Sequence, residues 1–234
     1  MTIDNFIEEL KKIGIILTKK QLEQLDRYYE LVIEWNKKIN LTGITEKKEF
    51  YLKHFYDSLT INKIVDLNKI NNLCDVGTGA GFPGIVLKIA FPKLNVVLID
   101  SLNKRVSFLN MVIKELDLKE IQALHVRAEE YSRINIEKFD LVTARAVASI
   151  NVLLEYSIPM IKINGYFIAM KGLAEEELNN MDKALKKLNA NFISQDKFFL
   201  PYENSRRTLI KIQKKGKTPK IFPRKNIEIK KNPL

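Results

Sequence analysis

The chain has 234 residues, 46% of them hydrophobic, so it can bury a real core and is not a disordered or fibrous protein. Its single cysteine, Cys74, excludes internal disulfides and cysteine-cluster metal sites, and no segment has the h-region of a signal peptide or the length of a membrane span. The formal net charge of +11 favours an anionic partner, and we expect a cytoplasmic protein with no membrane or metal partner.

The first 65 residues are predicted to form an N-terminal helical extension. Thr18 and Gln21 have the spacing of a capping box. An apolar stripe at helical spacing follows and is more typical of packing than of a binding site: Leu22, Leu25, Val32, Trp35 and Ile39. Residues 40–45, with Gly43 among them, break this pattern, and a second helical stretch is predicted from Glu46.

From residue 70 onward, short apolar runs alternate with helical segments. The runs predict strands over 73–76, 95–100, 121–126, 139–144 and 166–170, and helices over 83–90, 104–116, 150–161 and 174–188. Residues 192–200 and 207–212 follow without a helix between them, which predicts an antiparallel hairpin at a sheet edge. We therefore expect an α/β, Rossmann-like class I methyltransferase fold with a mostly parallel seven-stranded sheet and helices on both faces. The predicted domain spans 66–213, and 214–234 is a basic C-terminal tail.

The segment from Asp75 to Gly84 is a glycine-rich loop between a predicted strand and a predicted helix. Its glycines at 79, 81 and 84, with Asp100 at the end of the next strand, match a dinucleotide-binding pattern and would suggest NAD. Gly77 and Gly79 instead belong to a D-x-G-x-G-x-G pattern that begins at Asp75. An acidic group before the glycines faces a pyrophosphate unfavourably but suits the cationic sulfonium and α-amino end of S-adenosylmethionine. We therefore favour S-adenosylmethionine as cofactor, with Asp100 accepting hydrogen bonds from its ribose.

Further candidates lie where the third and fourth strands end, because ligands bind at the carboxyl edge of such sheets. Ala128 and Glu129 follow the third strand, beside the expected adenine, and Arg145 ends the fourth. His54 and Asp57 lie three residues apart on one predicted helical face. They could form the roof of the site, or they could belong to a helix–helix hydrogen-bond network.

Together, these residues resemble the bacterial 16S ribosomal RNA guanine-N7 methyltransferases, also called the glucose-inhibited division protein B family. The resemblance covers nearly the whole chain. It rests on Trp35-Asn36 and Asn40-Leu41-Thr42, His54 with Asp57-Ser58-Leu59, the run DVGTGAGFPGIVLKI from Asp75 to Ile89, Asp100-Ser101-Leu102, Lys104-Arg105, Arg127 with Glu129, Arg145-Ala146 with Ala148, and Lys171-Gly172.

The resemblance implies methylation of N7 of guanine 527 in 16S rRNA. It also implies cofactor contacts at Gly77, Phe82, Ala128, Glu129 and Arg145. The sequence also lacks the motifs that other kinds of base methylation use, which agrees with methylation at N7. The amino-methylation loop with two prolines is absent after the fourth strand, and Cys74 lies in an apolar strand rather than at a site. Guanine N7 carries no proton, so we expect no indispensable acid or base and catalysis by orientation, with Arg145, His54 and Asp57 as the only catalytic candidates.

The end of the chain is strongly basic, with nine Lys or Arg and one Glu from Lys211 onward. Such a tail favours phosphates. Arg224 and Lys225 match the family's Pro-Arg-Lys ending, although its next glycine-proline step is replaced by residues 226–228. With Lys104 and Arg105 they are the candidate RNA contacts, the partner being 16S rRNA or the small ribosomal subunit, bound by a monomer. Two alternatives remain: a non-catalytic RNA-binding or assembly protein on this fold, and a small-molecule methyltransferase.

Overall fold

The computed structural model describes residues 1–145, 148–172 and 181–234. Its N-terminal part is helical, as predicted, with α1 at Ile3–Lys12 and α2 at Lys19–Asn36. The capping box that begins α2 is present: Gln21 N donates to Thr18 Oγ1 and Thr18 N donates to Gln21 Oε1. After the predicted break, α3 at Lys47–Phe50 runs into a π-helical turn at Tyr51–Tyr56, α4 at Asp57–Leu59 and a 3₁₀ turn at Thr60–Lys63.

Seven strands form one sheet in the order β3-β2-β1-β4-β5-β7-β6. The first five are parallel, and β7 pairs antiparallel with both β5 and β6. This confirms the predicted mostly parallel sheet and its hairpin, with β7 lying between β5 and the edge strand β6. The strands are β1 (Asn72–Val76), β2 (Asn95–Asp100), β3 (Ile121–His125), β4 (Phe139–Arg145), β5 (Ile161–Lys171), β6 (Ala190–Phe199) and β7 (Arg206–Lys214).

Helices follow most of the strands: α5 (Gly84–Ala90), α6 (Asn103–Glu115), α7 (Ala128–Ile134), α8 (Ile150–Ser157), α9 (Asp182–Leu188) and α10 (Asn226–Lys231). The helices α7 and α10 were not predicted. The predicted helix 150–161 ends early, because a 3₁₀ turn containing Pro159 leads into β5 at Ile161. Residues 174–180 of the predicted helix 174–188 lie outside the described residues.

Alternate residues of the central strands point into two separate apolar cores. Leu73 and Leu98 pack with α5, α6 and the N-terminal helices, whereas Cys74 and Ile99 pack with α7, α8 and α9. The helices therefore cover both faces, and the N-terminal extension shares one core with the sheet. The domain boundaries at 65/66 and 213/214 stay predictions. Among the described residues, no helix has the length and apolar character needed to span a membrane.

The strand order reverses direction between β1 and β4. In open α/β sheets, the crevice at such a reversal, outside the carboxyl ends of the strands, is where ligands bind. The residues that follow β1, β2 and β3 and those that end β4 and β5 all meet there. The fold thus brings together the positions that the sequence singles out.

Candidate active site

The glycine loop leaves β1 in a conformation that requires glycine. Gly77 has φ +66° and Gly81 has φ +103°, both in the left-handed region that L side chains rarely adopt. A β-carbon at Gly81 would also collide with the Tyr28 hydroxyl and the Ile85 side chain. The loop is therefore shaped by backbone geometry at Gly77 and by close packing against the N-terminal extension at Gly81.

Asp75 lies beneath this loop and is fully buried. Its Oδ2 accepts hydrogen bonds from Thr78 Oγ1 at 2.6 Å and from Gly84 N at 2.9 Å, while its buried Oδ1 has no hydrogen-bond partner in the described part of the chain. Burial raises the pKa of the Asp75 carboxyl to about 6, against the lowering effect of the two hydrogen bonds. Asp75 is not among the described residues that line the two cavities at this edge of the sheet, so its contacts brace the loop from below.

Asp100, at the end of β2, connects the loop to the neighbouring strand. Its Oδ2 accepts from Gly79 N at 3.0 Å and its Oδ1 accepts from Leu102 N at 2.9 Å. Arg105 Nη1 lies 3.5 Å from Asp100 Oδ2, which places this predicted RNA contact beside a predicted cofactor contact. Asp100 is only 3% exposed, so its carboxylate is held in one position at the cavity wall.

The glycine-loop cavity, about 240 Å³, opens at this edge of the sheet. Four of the predicted cofactor residues line it: Gly77, Asp100, Ala128 and Glu129. Its other walls are largely apolar, with side chains from β1, β2 and the segment after β3: Val76, Ile99 and Val126. Apolar walls that flank two carboxylates fit an adenosine, whose flat base is apolar on its faces and whose amino and hydroxyl groups donate hydrogen bonds.

Phe82 and Arg145, also predicted as cofactor residues, do not line this cavity. They belong to a second cluster with the catalytic candidates His54 and Asp57. The His54 ring stacks on Phe82 with centroids 4.4 Å apart, and the Arg145 guanidinium carbon lies 5.0 Å from the Phe82 centroid. Arg145 Nη2 lies 3.1 Å from His54 Nδ1, and its Nη1 lies 3.4 Å from Asp57 Oδ2. The structure therefore brings all three catalytic candidates together.

His54 is held as a neutral imidazole in this cluster. Burial, followed by the positive charge of Arg145, lowers its pKa to about 3. The nearby Arg145 assigns Nδ1 as the hydrogen-bond acceptor, so Nε2 carries the proton and donates to Thr42 Oγ1 at 2.8 Å. Asn36 Oδ1 in turn accepts from Thr42 N at 3.0 Å, which fixes the loop that follows α2.

Asp57 faces a second guanidinium that the sequence did not single out. Arg207, on β7, places its Nε 3.1 Å from Asp57 Oδ1, in an ion pair without hydrogen-bond alignment. This cluster borders the arginine cavity, about 450 Å³, which is lined by Ile44, Lys53, His54, Asp57, Arg145, Met170, Lys171, Gly172 and Arg207. Four cationic side chains and one carboxylate give its lining a positive charge suited to an anionic ligand.

The two cavities adjoin. The Lys171 ammonium, in the arginine cavity, donates to the carbonyl oxygen of Ala148, which lines the glycine-loop cavity. The linings of the two cavities are therefore in direct contact at this pair of residues. In the described parts of the chain, no three His, Cys, Asp or Glu side chains are grouped as metal ligands.

The remaining candidates lie farther out. Lys104 on α6 and Lys225 before α10 are exposed, as an RNA contact requires. The Arg224 guanidinium instead forms a bidentate pair with the buried carboxylate of Glu155. Arg224 thus has a structural partner that the sequence pattern did not indicate.

A model of the family described as rRNA small subunit methyltransferase G matches residues 21–205 of the chain. The chain is 48% identical over 237 aligned positions to the ribosomal RNA small subunit methyltransferase G of Bacillus licheniformis, covering 100% of this chain and 99% of that protein. In fold it is similar to a SAM-dependent O-methyltransferase from Thermotoga maritima (TM-score 0.54, 15% identity, 80% of this chain and 72% of that one). It is also similar to M. jannaschii TYW2 in complex with AdoMet (TM-score 0.52, 15% identity, 63% of this chain and 70% of that one).

Proposed function

This chain belongs to the rRNA small subunit methyltransferase G family, and we propose that it transfers a methyl group from S-adenosylmethionine to N7 of a guanine in 16S rRNA, expected at guanine 527. The observation that carries this proposal is the pair of adjoining cavities, joined where Lys171 donates to the Ala148 carbonyl. The apolar, acid-flanked cavity suits the methyl donor, and the cationic cavity suits a nucleotide of the acceptor.

The methyl donor is S-adenosylmethionine, which supplies an electrophilic methyl group on a positively charged sulfur. Asp100 would accept hydrogen bonds from the ribose hydroxyls, because its carboxylate lines the cavity and is fixed by two backbone amides. Glu129 would accept from the adenine amino group at the opposite wall. Gly77 contributes backbone without a side chain to the cavity lining, and the negative field of Asp75 favours the cationic end of the ligand.

The arginine cavity suits an acceptor that keeps no proton at the reacting atom. His54, with a pKa of about 3 and both ring nitrogens engaged, stays neutral and is not placed to take a proton. Asp57 lies between two guanidiniums, which hold its carboxylate in ion pairs. A general base is required for methylation of an amino group or hydroxyl but not of guanine N7. The residues therefore support N7 as the acceptor, with rate gained by holding the base in line.

The positive lining also supports an RNA substrate. Lys53, Lys171 and Arg207 can meet phosphates or the O6 atom of the base, since Arg and Lys are the side chains that most often contact the guanine O6 and N7 edge. A guanine stacked in a helix cannot enter a protein cavity, so we propose that the target base leaves its stack before methylation. Exposed Lys104 and Lys225 would bind the flanking phosphates of the RNA to a single protein molecule.

The test is transfer of a tritiated methyl group from S-adenosylmethionine to small ribosomal subunits that lack the modification, followed by chemical cleavage at N7-methylguanine. One labelled guanine in the expected loop would establish donor, acceptor atom and position together. Label at an exocyclic amino group or a ribose would contradict the N7 proposal. Binding of the donor without transfer to subunits or naked RNA would favour a small-molecule substrate, and salt-insensitive transfer would point the same way.

A further inference from the structure

The C-terminal segment, residues 223–234, returns to the glycine-loop cavity instead of extending into solvent. Its helix α10 buries Ile229 completely against Val152 and Tyr156 of α8. Leu234, the last residue, is 7% exposed and packs into the core on the α8 and α9 face of the sheet. A run of basic residues thus carries two apolar anchors, so this segment is packed against the domain.

An ion pair fixes the start of the segment. The Arg224 guanidinium donates from Nε to Glu155 Oε1 at 2.9 Å and from Nη2 to Glu155 Oε2 at 2.6 Å, and the Arg224 backbone amide donates to the same Oε1 at 2.8 Å. Glu155 is fully buried, so its carboxylate depends on these three donors. The pair sets where α10 begins.

Two residues of the segment reach the glycine-loop cavity. Asn226 and Lys230, one turn apart on α10, line it together with Gly77, Asp100 and Glu129. The Tyr156 hydroxyl, also at this wall, donates to Asn226 Oδ1 at 2.7 Å. The Asn226 amide nitrogen, by contrast, has no hydrogen-bond partner among the described residues and is free to donate. Burial raises the pKa of Tyr156 to about 12, so its hydroxyl remains a donor at working pH.

We propose that the C-terminal segment forms a wall of the S-adenosylmethionine site, with Asn226 and Lys230 as ligand-binding residues and Arg224 as the residue that positions them. The inference rests on the proposed function, which puts the ligand in the glycine-loop cavity. Asn226 and Lys230 supply hydrogen-bond donors to a cavity whose two carboxylates, Asp100 and Glu129, only accept. They add to the donors that Ser101, Arg127 and Tyr156 bring to the same lining. Such donors suit the ring nitrogens of adenine, which only accept hydrogen bonds. They also suit the ribose hydroxyls, which both donate and accept.

The sharpest test compares two neighbouring lysines of α10. Lys230→Gln and Lys231→Gln each remove one positive charge from an exposed position of α10, but only Lys230 lines the cavity. Calorimetry with S-adenosylmethionine should show the Kd raised about fivefold for Lys230→Gln, which corresponds to loss of roughly one hydrogen bond, and unchanged for Lys231→Gln. Equal Kd values for the two variants would overturn the proposal, provided that the wild-type protein binds the ligand.

Arg224→Gln tests the positioning role. We expect a Kd for S-adenosylmethionine raised about tenfold, with kcat at saturating donor close to that of the wild type, and partial recovery in Arg224→Lys. An ion pair with a purely structural role would lower the melting temperature and leave the Kd unchanged, which would remove Arg224 from the proposal. If Arg224→Gln does not fold, the lysine pair decides alone. A wild-type protein that fails to bind S-adenosylmethionine would instead contradict the proposed function itself.

Discussion

The glycine-loop cavity and the arginine cavity lie side by side, yet the chain assembles them differently. The first takes most of its lining from residues 76–77, 99–101 and 126–129, where three successive strands end. The second takes its lining from the N-terminal extension, from the ends of β4 and β5 and from β7, so that Asp57 meets Arg145 and Arg207 from distant parts of the chain. The first depends on backbone shape and space, and the second on the ion pairs of Asp57 with two guanidiniums. Substitutions should therefore damage them in different ways.

The largest expected effect is on the glycine-loop cavity. Gly77→Asp adds a carboxylate at a position that lines the cavity together with Asp100, and should raise the Kd for S-adenosylmethionine by at least about 100-fold, or roughly 3 kcal/mol. Gly14→Asp is the matched control, since Gly14 also has a positive φ of +76° but is exposed and remote from the cavity. Equal melting temperatures with unequal Kd values would show that this cavity depends on space. If Gly77→Asp retains methyl transfer, the loop is not the donor site.

Asp57→Ala should instead lower the stability of the protein and its methyl transfer while leaving donor binding nearly unchanged. It leaves two guanidiniums in the cluster without their common carboxylate, and we expect the free energy of unfolding to fall by about 3 kcal/mol. Methyl transfer should also fall sharply, while the Kd for S-adenosylmethionine stays within about twofold, because Asp57 does not line the donor cavity. The control is Asp196→Ala, which breaks a partly exposed pair with Lys63 and should cost no more than about 1 kcal/mol. Denaturant unfolding measures both, and equal losses would remove the distinction between the cavities.

This difference explains what could be predicted from the sequence. The glycine loop is a contiguous motif, and parallel topology brings successive strand ends together. The sequence alone therefore indicates that Gly77, Asp100, Ala128 and Glu129 lie close together, and all four line one cavity. His54 and Asp57 were found as a pair on one helix, but their contact with Arg145 depends on how the N-terminal extension packs. Nothing in the local sequence places Arg207 opposite Asp57.

The packing of the C-terminal segment could not be predicted for a different reason. Four of its twelve residues are basic, a composition that favours phosphate binding, while the partner of Arg224 is a glutamate 69 residues away. The signal that could have been used was Ile229, an apolar residue within the charged run, which is fully buried in the structure. Net charge predicts a class of partner and does not predict which side chains are free to bind it.

A smaller effect should appear in the acid stability of the arginine cavity. The folded-state pKa of His54, about 3, lies below its ordinary value of 6.5, so the unfolded chain takes up a proton that the folded chain does not. Stability is therefore complete above pH 6.5 and is lost as the pH falls towards 3. Between pH 6.5 and 4.5, His54 should lower the free energy of unfolding of the wild type by roughly 1 kcal/mol for each pH unit. His54→Gln should not show this part of the pH dependence. Urea unfolding at several pH values measures it, with His125→Gln as the control for loss of an exposed imidazole. Parallel pH profiles for His54→Gln and the wild type would show that His54 is not buried as a neutral group.

The smallest predicted effect concerns the charge beneath the glycine-loop cavity. Burial holds the pKa of Asp75 at about 6 in the free protein, and a cationic sulfonium above the loop favours the ionised carboxylate. Binding of S-adenosylmethionine should therefore release a proton below pH 6, and its affinity should rise as the pH increases from 5 to 7. S-adenosylhomocysteine has the same amino acid and nucleoside groups but an uncharged sulfur. The ratio of the two Kd values isolates the sulfonium, and we expect it to change by up to about tenfold in favour of S-adenosylmethionine.

Asp75→Asn is the control for that ratio. The amide oxygen can still accept from Thr78 Oγ1 and Gly84 N, so the loop keeps its support while the titrating charge is lost. The ratio should then be independent of pH. A ratio that is already flat in the wild type would mean that Asp75 serves the loop only through its hydrogen bonds. In that case the glycine-loop cavity would select its ligand by shape and by the carboxylates of Asp100 and Glu129. Buried charge would then govern only the arginine cavity, and the two cavities would differ more sharply in what determines binding.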